Sequence, residues 1–444
     1  MIDLNLVIRP IMWCTTKMFF KNILVQNANR VPYNKPVILA SNHPNSLVDP
    51  IVIGLTLPRN VYFLARGDVF NSTLKGKLLN SFHVLPIFRK EDTQKNYLLN
   101  QKTFIQCNKL LKQNKSILIF SEGFCIQEKK LRPLKKGTAR MAIEAMEFFD
   151  YNLDVQIVPV SINYSQPVKF RSDLVISFGN AISVTNYLNE IKESKSKASI
   201  LITRELESSL KQELIIINER DFEEFAMQSE EICKEHLKDN GKVNFESKVE
   251  TFGFRKQQAS EINNLVAKEP VLMSDLRSDL KHYFTLIEQK ELRDYLLNNE
   301  HRPYSMFFVP LLLLITFPLF AIGALLHFFP FYKSYSFAKK LTRQMEFFAS
   351  VMLPSAGLMY FLLYILFFGI INALSSSFIQ SLFVFAMIPI LGIFSIHHWR
   401  WQKKIRGMLK YNRYLKSEPN EMKLLRETRS NLQQRLTESL FKRV

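Results

Sequence analysis

Short apolar runs recur through the first part of the chain, at residues 37–40, 61–65, 84–88, 117–120, 157–162 and 174–178. Each has the length of a strand rather than of a helix. Between several of them the apolar positions shift to helical spacing. Over 93–112, Leu98, Phe104, Ile105 and Leu111 share one face, and 138–149 follows the same pattern. Strands that alternate with helices predict an α/β unit with a mostly parallel sheet, here across 34–184.

From 185 to 303 the pattern becomes charged and helix-friendly without strand signals, which predicts a helical extension. Then come three long apolar stretches, 306–329, 347–371 and 378–396, none containing Lys, Arg, Asp or Glu. Each is roughly long enough to cross a ~30 Å hydrocarbon layer. Residues 304–398 are therefore expected to form an α-helical transmembrane region, followed by a basic tail over 399–444. The first stretch contains Pro310, Pro318 and Gly323, with Pro330 just beyond it. Proline removes backbone hydrogen bonds and bends helices, so a broken or re-entrant segment is expected there, with the last two stretches as a hairpin.

Charge sharpens this picture. The 444-residue chain carries 59 Lys plus Arg against 40 Asp plus Glu, a formal net charge of +19. Residues 400–444 hold 13 basic and 4 acidic side chains, so +9 of that excess directly follows the apolar region. Juxtamembrane basic clusters are drawn to anionic headgroups. Anionic lipid is the expected partner, and nucleic acid, which would explain the charge alone, is not. Lys333, Lys339, Lys340 and Arg343 also favour the cytoplasmic side, which leaves only the uncharged 372–377 connection outside. The expected protein is multi-pass, with its sheet domain on the cytoplasmic face. The N-terminal 1–33 mixes Trp13, Met18, Phe19 and Phe20 with Lys17 and Lys21, a pattern suited to an interfacial helix or to one packed on the protein's own core. Four scattered cysteines suggest neither disulfides nor zinc, and a reducing compartment.

Candidate chemistry sits in two turns. In Ala-Ser-Asn-His-Pro-Asn-Ser-Leu-Val-Asp-Pro, 40–50, a strand runs into His43 and Asp49. One reading is a strand-to-helix turn in which Pro44 opens the helix and Asn45 or Ser46 caps it. The other makes His43 a general base whose second ring nitrogen donates to Asp49. On a continuous helix six steps of ~100° leave the two side chains about 120° apart, so the pair requires a helix that begins after His43. In the second turn a strand ends at Phe120-Ser121-Glu122-Gly123, and Lys129, Lys130, Arg132, Lys135 and Lys136 lead into a helix. Glu122 suits either a hydroxyl-bearing substrate or a salt bridge to one of those cations. Cys125 is a rival nucleophile, although its apolar neighbours disfavour a thiolate.

These stretches, with Ala-Arg-Gly-Asp-Val-Phe at 65–70, Val-Leu-Pro-Ile-Phe-Arg at 84–89 and the blocks within 157–179, resemble the glycerophospholipid acyltransferase family. Its members are membrane enzymes that acylate glycerol 3-phosphate, dihydroxyacetone phosphate or lysophosphatidic acid. The resemblance covers about 140 residues in four ordered blocks. It implies an α/β acyltransferase domain in which His43 deprotonates an acceptor hydroxyl, Asp49 orients it, and an acyl-CoA or acyl-carrier-protein thioester is attacked directly. It further implies that Arg89, Arg66 and Arg171 grip the acceptor phosphate, and that Glu122, Gly123 and Asn45 lie at the substrate site. No metal or bound cofactor is implied.

Two departures stand out. Five residues separate His43 from Asp49 where the family usually has four, which resembles the branch that acylates glycerol 3-phosphate or dihydroxyacetone phosphate. Asn163, Tyr164, Phe170, Arg171, Ser172, Phe178 and Gly179 lean the same way. Ser121 stands where the family usually has proline. The alternatives are a lysophospholipid acceptor within the same class and, in a different class, a non-catalytic lipid-binding adaptor.

Overall fold

The computed structural model describes residues 4–70, 72–88, 94–298 and 308–442. They divide into two compact units, Met1–Ile216 with Phe337–Gly357, and Ile217–Ser336 with Leu358–Val444.

The first unit is built on strands β1 (Asn22–Gln26), β2 (Val37–Ser41), β3 (Val61–Arg66), β4 (Val84–Ile87), β5 (Ser116–Phe120), β6 (Gln156–Tyr164), β7 (Asp173–Phe178) and β8 (Ile182–Ser183). They form one sheet in the order β1-β7-β6-β2-β5-β3-β4, with β8 beside β6. Pairing is parallel from β6 through β2, β5 and β3 to β4, and antiparallel where β7 and β8 meet β6. Helices α1 (Leu4–Phe19), α2 (Val48–Thr56), α3 (Thr73–Ser81), α4 (Gln94–Lys112), α5 (Gly137–Phe148), α6 (Leu188–Glu193) and α7 (Lys195–Glu213) complete the unit together with residues 337–357.

The apolar runs are uninterrupted because both faces of the sheet are covered. Along β2 the side chains alternate: Val37 and Leu39 join a core with α2, Phe19, Phe20, Ala338, Ala349, Met352 and Leu353. Ile38 and Ala40 join the opposite core with Cys107, Leu111, Ala142, Met146, Ile202 and Leu206. All five residues of β2 and all nine of β6 are buried. The expected strand and helix positions match this sheet closely. The sheet unit, however, is longer than the expected 34–184, because α7 runs on to Glu213 and closes one core. The expected N-terminal helix is also shorter. It ends at Phe19, and Asn22–Gln26 is instead an edge strand parallel to β7.

The second unit contains α8 (Asp221–Asp239), α9 (Lys248–Lys268), α10 (Pro270–Gln289), α11 (Phe308–Ile315), most of α12 (Phe317–Leu341) and of α13 (Phe348–Leu374), α14 (Phe378–Ser417) and α15 (Pro419–Leu440). Two helices, Met345–Leu374 and Phe378–Ser417, are long and apolar enough to cross a membrane, and a third span is reached if α11 and α12 count as one. Those two meet at a 57° bend. Pro318 stands just past the bend and cannot donate to the carbonyl of Leu314, which explains the break. At 40 residues α14 is ~60 Å long, about twice the hydrocarbon layer, so its basic second half extends beyond any bilayer.

The expected free basic tail needs correction. Residues 419–440 are the helix α15, which buries Met422, Leu425, Leu432, Leu436 and Leu440 in a bundle with α8, α9 and α10. There Arg429 grips Asp294 through Nε and Nη2, both at 2.8 Å, and Tyr283 donates to the same carboxylate at 2.7 Å.

Candidate active site

The site forms where β2, β5 and β6 end together. Ser41 is in register with Phe120 on one side and Val160 on the other, so residues 42–43, 121–122 and 162–164 emerge at one level. This is the carboxyl edge of parallel strands, beside the point where the sheet changes from parallel to antiparallel pairing. Asn42 prolongs the β2–β6 ladder with its side chain, donating to Ile162 O at 3.0 Å and accepting from Ile162 N at 2.8 Å. His43 is thereby fixed at the strand end.

The helix begins at Val48, five residues past His43. The intervening turn brings Asp49 back so that His43 Nδ1 and Asp49 Oδ2 lie 2.9 Å apart. The continuous-helix objection to this spacing is therefore lifted. Neither Asn45 nor Ser46 caps α2: the residue before the helix is Leu47, without a side-chain cap bond. The Asp49 carboxylate instead takes the turn's own donor, Asn45 N, at 2.8 Å on Oδ2, and Tyr164 donates to Oδ1 at 2.8 Å. Asp49 is fully buried while His43 keeps 17% of its side chain exposed. A buried carboxylate with three donors holds the imidazole orientation and stabilises imidazolium when it forms. The ring stacks on Phe120 at 3.7 Å between centroids, and its Nδ1 is engaged by Asp49.

Glu122 makes no salt bridge to the basic run. Its carboxylate accepts backbone N–H groups from His43 at 3.1 Å and Arg132 at 3.3 Å. Burial pushes its pKa above the ordinary carboxylate range, against the pull of those two donors. Gly123 turns at φ +80°, in the left-handed region that a side chain would strain. Ser121, at the family's proline position, donates N–H to Ser41 O at 3.1 Å and pairs its hydroxyl with Thr138 at 2.9 Å. A proline has no N–H for the first bond.

Of the expected residues the structure gathers His43, Asp49, Asn45, Glu122 and Gly123 into one place. Asn45 is fully buried and donates to Pro167 O at 3.2 Å, which ties the turn to the β6–β7 loop. Arg66 is exposed and ion-paired with Asp68 at 2.6 Å. Arg171, at φ +66°, donates its backbone N–H to Phe19 O at the end of α1. Arg89 lies outside the described residues. Cys125 accepts from Ser46 N at 3.0 Å, and its thiol is pushed up to about 12, first by burial and then by Asp49. A thiol so raised is not the thiolate an acyl-enzyme route needs.

The sequence matches the Acyltransferase family model over residues 22–163. The chain carries an acyltransferase-family domain. An uncharacterized acyltransferase of Schizosaccharomyces pombe is 24% identical to it across 41% of this chain and 39% of that protein. The glycerol-3-phosphate O-acyltransferase 1 of Saccharomyces cerevisiae is 41% identical over 18% of this chain and 10% of that protein. The chain thus spans well under half the length of these relatives. The crystal structure of a 1-acyl-sn-glycerophosphate acyltransferase from Thermotoga maritima has a TM-score of 0.34 and 14% identity, covering 47% of this chain and 77% of that one.

The acyltransferase domain also holds partners that sequence reasoning did not assign. Tyr164 is buried and its pKa lies well above the ordinary tyrosine value, from burial and then the Asp49 charge, so it stays a donor to that carboxylate. Its signal was an aromatic hydroxyl at the end of a buried strand. Ser350 bonds the catalytic turn from some 300 residues away along the chain, and no local pattern announces it.

Proposed function

We propose that this chain is a membrane-bound O-acyltransferase that transfers a fatty acyl group from an acyl thioester to glycerol 3-phosphate or dihydroxyacetone phosphate. The observation that carries the reading is the His43–Asp49 contact of 2.9 Å, with the second carboxylate oxygen held by Tyr164. His43 Nε2 takes the proton of the acceptor hydroxyl as that oxygen attacks the thioester carbonyl. The tetrahedral intermediate collapses, the C–S bond breaks, and the imidazolium returns the proton to the departing thiolate. Asp49 orients the imidazole through Nδ1. Glu122 keeps His43 and Arg132 in place at the acceptor side, and Arg89, Arg66 and Arg171 bind the phosphate, where a guanidinium matches phosphate oxygens bidentately. The five-residue spacing and the likeness to a glycerol-3-phosphate O-acyltransferase support the small acceptor.

The deciding assay offers one purified preparation glycerol 3-phosphate, dihydroxyacetone phosphate and lysophosphatidate with radiolabelled acyl-CoA. Preferential kcat/KM for either small phosphate is expected. Preference for lysophosphatidate would reassign the acceptor, and no transfer to any of the three would remove the enzymatic reading.

The protein sits in the membrane through α13 and α14 as a hairpin, with α11 and α12 entering and leaving on one face and the catalytic domain cytoplasmic. Supporting this, Ala338 near the end of α12 and Ala349 at the start of α13 are fully buried in the core that also holds Leu39. The segment carrying Lys339, Lys340 and Arg343 therefore lies on the catalytic side, as the positive-inside tendency favours. A cysteine placed at Lys340 should react with an impermeant maleimide only from the cytoplasmic face, and one at Ser376 only from the opposite face. Labelling of both from one side would refute this topology.

A further inference from the structure

Residues 337–357 return to the sheet unit from between apolar helices, and they do more than fill its core. Ala349, Met352 and Leu353 are buried beside Val48 and Val52 of α2. A Cβ at Gly357 would lie 3.0 Å from Thr15 Oγ1, so this segment also sits tightly on α1. The polar contact is at Ser350, which is 7% exposed. Its hydroxyl accepts from Leu47 N at 2.8 Å and donates to Asn45 O at 3.4 Å. It thus bridges both ends of the turn that returns Asp49 to His43.

That turn needs outside support. Ser46 at its centre has φ +36°, a conformation that residues with side chains rarely adopt and that persists only where the surroundings over-determine it. Three neighbouring amides hold it: Asn45 N on Asp49, Ser46 N on Cys125, and Leu47 N on Ser350. Only the last support comes from the first turn of α13, at the start of the candidate span Met345–Leu374.

We propose that Ser350 is a positioning residue for the His43–Asp49 pair, acting through the backbone of the Asn45–Leu47 turn, so that seating of the start of α13 sets the geometry of that pair. This rests on the acyltransferase reading only for its effect on turnover. Its geometric content concerns His43 alone. The groups around that imidazole are Asp49 on Nδ1, Glu122 on its backbone N–H, Cys125 across the turn, Tyr164 behind Asp49, and Glu346, whose charge reaches Cys125 from Ser350's own segment. Asp49 holds the ring through Nδ1, so loosening the turn frees the imidazole from that contact.

The test reads His43 directly in the full-length protein in detergent, from the rate of its carbethoxylation by diethyl pyrocarbonate at one fixed pH, followed by mass spectrometry of its peptide. Ser350→Ala is expected to raise that rate severalfold, because a loosened turn frees Nδ1 from Asp49. It should also lower kcat roughly tenfold with KM little changed, as misplacement of a catalytic group does. Ser350→Thr, which keeps the hydroxyl, should retain the parent rate. Met352→Ala, which thins the same docking surface without touching these bonds, should lower Tm and leave the rate in place. Should Ser350→Ala fail to fold, Ser350→Cys, a weaker acceptor of similar size, is expected to change the rate in the same direction. An unchanged rate in the folded Ala or Cys variant, a rise equally large in Met352→Ala, or an Ala-like rise in Ser350→Thr overturns the proposal. If the parent transfers no acyl group but the rate rises, the positioning role stands and the acyltransferase reading falls. If the parent is active and the rate stays, the reverse holds.

Discussion

Replacing His43 with alanine is expected to lower kcat for acyl transfer by roughly 10²–10⁴-fold, the usual contribution of a general base, while the protein still inserts into membranes. His43 is held from three directions: its backbone N–H on Glu122, its ring on Phe120 and Nδ1 on Asp49. Losing the side chain removes the base without emptying a core, because part of the ring faces solvent. Asp49→Ala should reduce turnover comparably but by another route. It strands the buried hydroxyl of Tyr164 and the N–H of Asn45, each costing about 1–3 kcal/mol when left unsatisfied. The two variants should therefore differ in thermal stability: near-parental Tm for His43→Ala, a lowered one for Asp49→Ala. Full activity in His43→Ala would end the general-base mechanism.

The second large effect is expected on stability, in the helical unit. Asp294→Ala should cost about 3–5 kcal/mol, because it leaves the Arg429 guanidinium buried without its counter-charge. Arg429 and Asp294 keep only 5% and 2% of their side chains exposed, so water cannot take over. Tyr283 loses its acceptor in the same change. The double variant Asp294→Leu with Arg429→Met should recover much of the loss, since two apolar groups of similar volume avoid the stranded charge. Chemical or thermal denaturation of the detergent-solubilised protein checks both, and a neutral Asp294→Ala would show that the pair does not hold α15 in the bundle. That bundle makes the C-terminal segment a structural element despite its charge.

The strands were legible because each is buried on both faces of the sheet and needs an unbroken apolar run. Asn22–Gln26 was not, since an edge strand with partly buried residues carries a weak signal, and it was taken for part of a helix. The bent α11–α12 pair was legible from its prolines. The helical packing of 419–440 has a weak sequence signal, because its buried leucines on one face are spaced among charged and polar residues. At the site, the sequence singled out His43, Asp49 and Glu122, whereas the tie from Asn45 to Pro167 O arises only in the fold.

By itself the sequence determined which elements form and which side chains are chemically able to act, because periodicity and residue type are local properties of the chain. Tertiary structure alone decided whether His43 and Asp49 meet. Their contact depends on α2 starting at Val48, on strand register that aligns Ser41 with Phe120 and Val160, on the Tyr164 hydroxyl donating to Asp49 and on the Ser350 hydroxyl accepting from Leu47 N. Those two hydroxyls lie 115 and 303 residues from the groups they bind. No local pattern encodes a hydrogen bond between residues so distant, since only closure of the fold brings them within reach.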